Sequence, residues 1–532
     1  MYPREINAVK KNWRNVALRF GLCYPSLYRV GMSCLAIRLL YELLNSWRDV
    51  ACERFFFEGE GPLLSVESSQ PPSKFDVLGF SLQYELDYVN FIRMLISSGI
   101  PALACERTSD HPIIVAGGPA VTANPEPVAP IVDAVVIGEV EPIIDGLVDA
   151  LKLGDRERVL EGLSSIDGVY VPKFEEPVRR VRASSLDDAP HAIAQVIPLV
   201  SADSSFSPIF GGSFMLEVTR GCRWGCRFCL EGYNYLPMRE RSIKAVERIL
   251  SEGLTCTPTD KVVLIGSAAF DHSRFEDLCE HIVSLGLKIS VPSMRASALS
   301  ERLAKILVKG GQRTIAFAPE AGSDCLREVV NKRLSTSEII DAAKIALDGG
   351  FRHVKLYFMI GLPGESLDDV KLIVELAKRV ADLGFSAPKS VRLTVSPFIP
   401  KAHTPFQWLG LEDTASLRYK FGLLRRMAAK DHRIELRVMR VREAVIQAFL
   451  STSGREAAAL MIRVAELGGS LAAWRRAERE LGISIEDAVL AGRGVDEPLP
   501  WDHVDVGVSR AFLVKEHFKA MEIVRGNEST HA

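Results

Sequence analysis

The chain has 532 residues, enough for two to four domains at roughly 150 residues each. It is 47% hydrophobic and 25% charged with a net charge of −2, which fits a soluble globular protein and gives no whole-chain basic character for gripping nucleic acid. No apolar run approaches the roughly 18 residues of a membrane helix, and the start, Met1-Tyr2-Pro3-Arg4-Glu5-Ile6, lacks the basic-then-apolar pattern of a secretory signal. Ten cysteines are scattered, and only 222, 226 and 229 lie close together, so a disulfide framework is not expected and a reducing, cytoplasmic setting is.

Taken in order, the N-terminal third alternates strands and helices. Apolar runs over 16–23, 50–57, 76–81, 112–116 and 131–139 read as strands. Segments 33–45, 88–97 and 143–152 read as helices. Near-continuous apolar strands with intervening helices predict a doubly wound parallel sheet over residues 1–155. Ligands of such sheets sit beyond the strand carboxyl ends, here 24–31, 83–87, 117–124 and 138–141. Residues 156–212 read as a linker with a short β segment at 167–174.

The alternation resumes at Ser213. Strands are expected at 213–218, 261–267, 288–295, 313–320, 354–361 and 390–396. Helices are expected at 242–250, 274–285, 301–309, 337–347 and 367–383. Six strands with helices between them predict a parallel (β/α)6 arrangement over 213–409, with the site at the strand carboxyl ends. The remainder, 410–532, reads as mainly helical, with a loop around Leu499-Pro500-Trp501-Asp502-His503 and a last helix from Ser509 to Glu522.

Directly after the strand ending at Val218 comes Thr219-Arg220-Gly221-Cys222-Arg223-Trp224-Gly225-Cys226-Arg227-Phe228-Cys229. Gly221 and Gly225 make it a loop that can aim three thiolates at one centre. A structural zinc ion or an ordinary cubane takes four protein ligands, whereas three leave one position open.

This segment resembles the signature of the radical S-adenosylmethionine (SAM) superfamily, with Phe228 as the aromatic before the last cysteine. The resemblance implies an enzyme in which Cys222, Cys226 and Cys229 hold a [4Fe-4S] cluster. The open iron binds SAM, which is cleaved reductively to a 5′-deoxyadenosyl radical. It further implies SAM contacts from Phe228, Gly266, Ser293, Arg295, Glu320, Gly361, Gly364 and Ser396. The superfamily often holds the SAM amino group with a Gly-Gly-Glu turn; here the matching Gly266-Ser267-Ala268 has no Glu. An electron donor such as flavodoxin or ferredoxin is the implied partner.

The N-terminal third resembles the cobalamin (vitamin B12) domain that precedes many such cores. Tyr28, Gly31, Gly117, Gly118, Gly138 and Glu139 are the cobalamin contacts this implies. The usual Asp-x-His-x-x-Gly is here Ser26-Leu27-Tyr28-Arg29-Val30-Gly31, and only the Gly is kept. Either cobalamin binds without a protein ligand from this loop, or the domain packs on the core and presents substrate. The expected chemistry is methyl transfer to an unactivated carbon or phosphorus, or a rearrangement, on an unidentified substrate. Methylthiotransferase action is disfavoured because Cys23, Cys34, Cys52 and Cys105 lack that family's spacing. The non-enzymatic rival is an iron–sulfur or zinc-bearing RNA-binding scaffold.

Overall fold

The computed structural model describes residues 2–59 and 61–531, with side chains as far as Arg525. Five parallel strands form the N-terminal sheet: β1 Leu18–Tyr24, β2 Val50–Phe56, β3 Val77–Ser81, β4 Ile113–Gly117 and β5 Ala134–Val136. A sixth, β6 Val169–Tyr170, closes one edge antiparallel to β5. The order is β2-β1-β3-β4-β5-β6. Both faces are buried, as the near-continuous apolar strands demand. Phe55, Leu78, Phe80 and Val135 pack on one side with Phe91 and Leu95 of α2 (Tyr88–Ser97). Phe20, Leu22, Val115 and Val136 pack on the other with residues of α1 (Leu35–Ser46) and α3 (Ile144–Leu151).

The expected linker is more structured than its composition suggested. Arg156–Ser164 forms helix α4, started by the Asp155 carboxylate accepting from the Arg158 N–H at 3.1 Å, and it packs on α3. With β6, the N-terminal unit therefore runs past residue 155.

In the core, β7 Phe214–Glu217, β8 Lys261–Ile265 and β9 Lys288–Ser290 form one parallel sheet. Strands β10 Thr314–Glu320, β11 His353–Ile360, β12 Val391–Pro397 and β13 Ile434–Val438 form another. A parallel bridge between Met294 and Phe317 joins them, and helices α5 (Ile243–Cys256), α6 (Phe275–Ser284) and α7 (Glu301–Lys309) connect β7 through β10. Strand β11 shows the logic of the layer. Val354, Leu356, Phe358 and Ile360 are buried with residues of α8 (Thr336–Gly349) and α9 (Leu367–Asp382). His353, Lys355, Tyr357 and Met359 alternate onto the opposite, less covered face.

The core thus carries seven strands where six were expected. Residues 434–438 lie in a segment expected to be helical, but Ile434-Glu435-Leu436-Arg437-Val438 alternates at period two and pairs with β12. Strand β9 stops at Ser290, short of the expected 295, because Pro292 has no N–H for a ladder.

Helices α10 Thr414–Ala428, α11 Val441–Thr452, α12 Ala457–Glu466 and α13 Leu471–Leu481 follow. They tie the two sheets together. Glu85, beyond β3, accepts hydrogen bonds from Lys401, from Gln447 at 3.0 Å and from Ser451 at 3.0 Å. The last helix, α14 Arg510–His531, lies on the segment Asp324–Val329. Asp502 and His503 order the preceding loop: Asp502 accepts from the Leu499 N–H at 2.8 Å and from Arg510 at 2.9 Å, and His503 rests on Tyr170. Among the described residues, no helix is long and apolar enough to cross a membrane.

Candidate active site: the cysteine loop and the interdomain cavity

The cysteine loop leaves β7 through Thr219–Arg220, which pairs antiparallel with Arg239–Glu240. Gly221 turns the chain at φ +84°; a Cβ there would lie 2.3 Å from the Tyr235 carbonyl oxygen, so only glycine fits. The loop is gripped by a distant segment, 327–333. The Arg227 N–H donates to the Val330 carbonyl at 3.0 Å, and its guanidinium donates to the Val329 carbonyl at 2.7 Å. Asn331 Nδ2 donates to the Gly225 carbonyl at 2.8 Å. On the other side, Trp224 Nε1 donates to Asp271 at 2.6 Å, and the Arg295 guanidinium stacks 4.0 Å from the Trp224 ring centre.

The three thiols sense one another. Burial pushes the Cys226 and Cys229 thiols up, and the neighbouring cysteines push them further; burial also raises Cys222. Two cations, Lys332 and Arg295, oppose this at Cys222 and Cys226, and Lys332 also faces Cys229. Lys332 also bonds Glu320 at 3.0 Å, which places the Glu320 carboxylate, at the end of β10 with φ +73°, next to the thiols. Three cysteines on one loop, with Lys332 and Arg295 as neighbouring cations, suit a cluster that takes one thiolate on each of three irons and leaves the fourth open. Lys332 was not singled out in the sequence. Its only signal there is a polar Asn331-Lys332-Arg333 run, since the fold alone brings it to the cysteines.

A cavity of about 600 Å³ lies between the N-terminal sheet and the core. One end is an apolar slot between α1 and α3 over the sheet, walled by Phe20, Leu22, Leu39, Val115, Val136 and Leu147. The slot opens past Gly117, Gly118 and Gly138 onto Arg220, Glu231, Tyr235, Gly266 and Ser267. His191 is the one histidine in its wall, and both ring nitrogens are engaged: Nε2 accepts from the Glu217 N–H at 3.1 Å and Nδ1 meets the Ala192 carbonyl at 2.9 Å. Burial and the nearby Arg241 bring it down to about 4, so it is neutral.

At the mouth, one guanidinium joins the two sheets. Arg220 meets Glu139 at 2.8 Å, Glu141 at 2.8 Å and Glu217 at 2.9 Å, and Arg239 adds a second cation at 2.5 Å from Glu139. Burial alone would raise the Glu139 carboxyl, but Arg239 and Arg220 outweigh it and hold it below the usual range.

The residues implied by resemblance fall into groups. Gly117, Gly118, Gly138, Glu139 and Gly266 border the cavity, Glu139 with its carboxylate already committed to arginines. Tyr28 and Gly31 do not. Tyr28 is fully buried with its hydroxyl donating to Glu5 at 2.6 Å, and a Cβ at Gly31 would strike the Phe56 ring, so both are packing residues on the α1 side of the sheet and lie outside the cavity wall. Phe228 packs in a cluster with Leu362, Phe398 and Ala520. Arg295 is spent on Trp224 and on the Arg333 carbonyl. Ser293 is exposed and Ser396 is partly exposed on the open face of β12. Gly361 and Gly364 line a separate cavity of about 540 Å³ with Glu412 and Lys420; the Gly361 N–H donates to Glu365, whose carboxyl burial raises to about 7.

Parallel strands whose ends present a three-cysteine loop define an iron–sulfur enzyme site. The chain belongs to the radical SAM superfamily: the family described as "Radical SAM superfamily" matches residues 216–377, and "Radical SAM proteins, N-terminal" matches residues 36–172. An uncharacterised protein of Methanocaldococcus jannaschii is 33% identical over 397 residues, 74% of this chain and 79% of that one. An uncharacterised methyltransferase of Pyrococcus horikoshii is 30% identical over 288 residues, 52% of this chain and 60% of that one. Among solved structures, the radical SAM methyltransferase TsrM of Kitasatospora setae, with cobalamin and a [4Fe-4S] cluster bound, shares 15% identity, covers 73% of this chain and 76% of that one, and superposes with a TM-score of 0.47. Membership makes the chain an enzyme whose cofactors are a [4Fe-4S] cluster and SAM.

Proposed function

We propose that the chain is a cobalamin-binding radical SAM methyltransferase. In this reading the N-terminal sheet is a Rossmann-like cobalamin module and the seven-stranded core is an incomplete barrel. One observation carries it: the cavity of about 600 Å³ runs from an apolar slot in the N-terminal unit to the residues flanking the cysteine loop. A slot walled by aliphatic and aromatic side chains suits the organic appendage of a large cofactor, and its polar mouth suits the charged and hydrogen-bonding rim. The histidine in the wall has no free nitrogen, so such a cofactor would be held without a protein imidazole on its metal.

When bound, the cluster and SAM supply hydrogen-atom abstraction and cobalamin a methyl carrier. The chain's own residues position and exclude. Cys222, Cys226 and Cys229 present the thiolates, the 327–333 segment fixes their loop, and Lys332 offsets their charge. Arg220 holds the two units in register across the cavity mouth. A carrier such as flavodoxin or ferredoxin delivers the electron.

The test is anaerobic. The reconstituted protein is given dithionite and SAM with and without cobalamin, and 5′-deoxyadenosine and S-adenosylhomocysteine are followed together. Both products, the second requiring cobalamin, support the proposal. Deoxyadenosine alone assigns direct radical chemistry and makes the N-terminal unit a substrate module. Zinc in place of iron and sulfide would sink the radical reading altogether.

A further inference from the structure

The inward face of the larger core sheet is polar where the inside of a barrel is ordinarily apolar. In a closed parallel barrel the inward positions carry bulky branched side chains that fill it. On β11, β12 and β13 the residues turned away from the covering helices form two rows, set by the strand register. Lys355 stands beside Arg392, and Arg392 beside Glu435. One step toward the carboxyl ends, Tyr357 stands beside Thr394, and Thr394 beside Arg437. All six are at least partly exposed, whereas Leu356, Leu393 and Val395, which alternate with them, are buried.

The two rows hold three cations and one acid. Glu435 meets Arg392 at 3.3 Å and Arg437 at 3.0 Å, so a single carboxylate is shared by two guanidiniums. Among the described residues Lys355 has no ion pair and no side-chain hydrogen bond, and the hydroxyls of Tyr357 and Thr394 have no partner. The surplus positive charge is felt nearby: burial first, then Arg392 and Arg352, push His353 at the foot of β11 below its usual range. A merely solvated sheet face would pair opposite charges across its strands, because like charges side by side are destabilising. Lys355 and Arg392 are such a like pair, on backbones about 4.8 Å apart, and an anion between them relieves the repulsion.

The position suits a ligand that reaches the cysteine loop. At a rise of about 3.3 Å per residue, Tyr357 lies roughly 10 Å below Ile360 at the carboxyl end of β11. Glu320 and Lys332, which flank the thiols, stand at the same end of the neighbouring strand. An anion on the two rows therefore leaves the rest of its molecule pointing toward the reacting end of the core.

We propose that the inward face of β11–β13 is the anion-binding part of the substrate site, and that the substrate carries a carboxylate or phosphate group. Lys355 supplies the uncommitted charge, Arg392 and Arg437 the shared charge, and Tyr357 and Thr394 the hydroxyl donors. That the anion belongs to a substrate rests on the radical SAM reading; that the face binds an anion does not. The proposal concerns binding only, and no bond is made or broken.

The experiment titrates inorganic phosphate and, separately, succinate into the anaerobically reconstituted protein, read by calorimetry. The proteins are wild type, Lys355→Gln, Glu435→Gln and a control, Lys371→Gln, which removes an exposed ammonium on α9. Each is checked for iron content and circular dichroism. Wild type should bind one equivalent of at least one probe, and the tighter of the two separates a phosphate-bearing from a carboxylate-bearing substrate. Loss of a charge-assisted contact should weaken that probe about tenfold in Lys355→Gln. Glu435→Gln frees two guanidiniums and should tighten it about threefold, a gain that damage to the fold would not produce. Lys371→Gln should match wild type. Wild type that binds neither probe, weakening in Lys355→Gln no greater than in Lys371→Gln, or Glu435→Gln that binds no tighter, overturns the proposal. Protein that carries zinc instead of iron and sulfide, yet binds the probe through Lys355, overturns the radical SAM reading and leaves the anion site standing.

Discussion

Arg220→Met should loosen the join between the two units at the cysteine loop. In the native protein one guanidinium serves three carboxylates, and the side chains of Arg220, Glu139, Glu141 and Glu217 are 12%, 3%, 7% and 12% exposed. Without it Glu139 keeps Arg239 at 2.5 Å and Glu217 keeps Arg241 at 3.4 Å. Glu141 keeps no cation among the described residues. Removing one partner of a buried pair costs about 3–5 kcal/mol, and the lower end applies because two of the three acids retain a partner. About 3 kcal/mol corresponds to roughly a hundredfold faster exchange of backbone amides that open with the loop, measured by hydrogen exchange on peptides covering 214–241. The deficit should depend on pH. In wild type, Glu139 and Glu217 would be raised by burial, but their arginines hold both below the usual carboxylate range. Their contribution is therefore full above the ordinary carboxylate range and fades as pH falls through the folded values. The two proteins should differ by a constant amount between pH 8 and pH 6 and converge as pH falls below the ordinary carboxylate range at about 4.5, once intrinsic exchange rates are divided out. A deficit below about 1 kcal/mol at pH 8, or one that persists unchanged down to about pH 3, would refute the reasoning.

Cys226→Ala should abolish the visible absorbance of the reconstituted cluster together with SAM cleavage, and retained 5′-deoxyadenosine formation would contradict the ligand assignment. Gly117→Leu places a side chain at the slot's mouth, where an added Cβ meets nothing nearer than Val136 at 3.8 Å; cobalamin retained through gel filtration should fall about tenfold or more while iron content stays constant. Tyr28→Phe should leave cobalamin retention untouched and cost about 1 kcal/mol in urea unfolding, because Glu5 loses one hydrogen bond but keeps Arg54. A selective loss of cobalamin in that variant would return Tyr28 to the site.

The parts of the fold that were legible in the sequence are those with strong local patterns. The apolar runs at 16–23, 50–57 and 76–81 became parallel strands, and 88–97 and 301–309 became helices within the expected bounds. Strand 434–438 was obscured because its less covered face carries Glu435 and Arg437, and the flanking arginines give the whole segment the look of a charged helix. The cysteines were legible because their spacing is local. Lys332 was not, since the cysteines it faces lie about a hundred residues earlier and only the fold joins them. Tyr28 misled for a related reason. A loop position was matched by register, while the aromatic ring is set by packing on Phe56 and Phe206.

The hold of residues 327–333 on the cysteine loop bears on how the enzyme is made. The contacts run from protein backbone and side chain to protein backbone, from Arg227 to Val329 and Val330 and from Asn331 to Gly225, and none of them passes through iron. A zinc finger acquires its shape only when its ion arrives. Here protein contacts alone hold the loop, so the expectation is a socket shaped before its cluster arrives. Maturation would then be insertion into a folded receptor, and a chain that has lost its cluster to oxygen should refill without refolding.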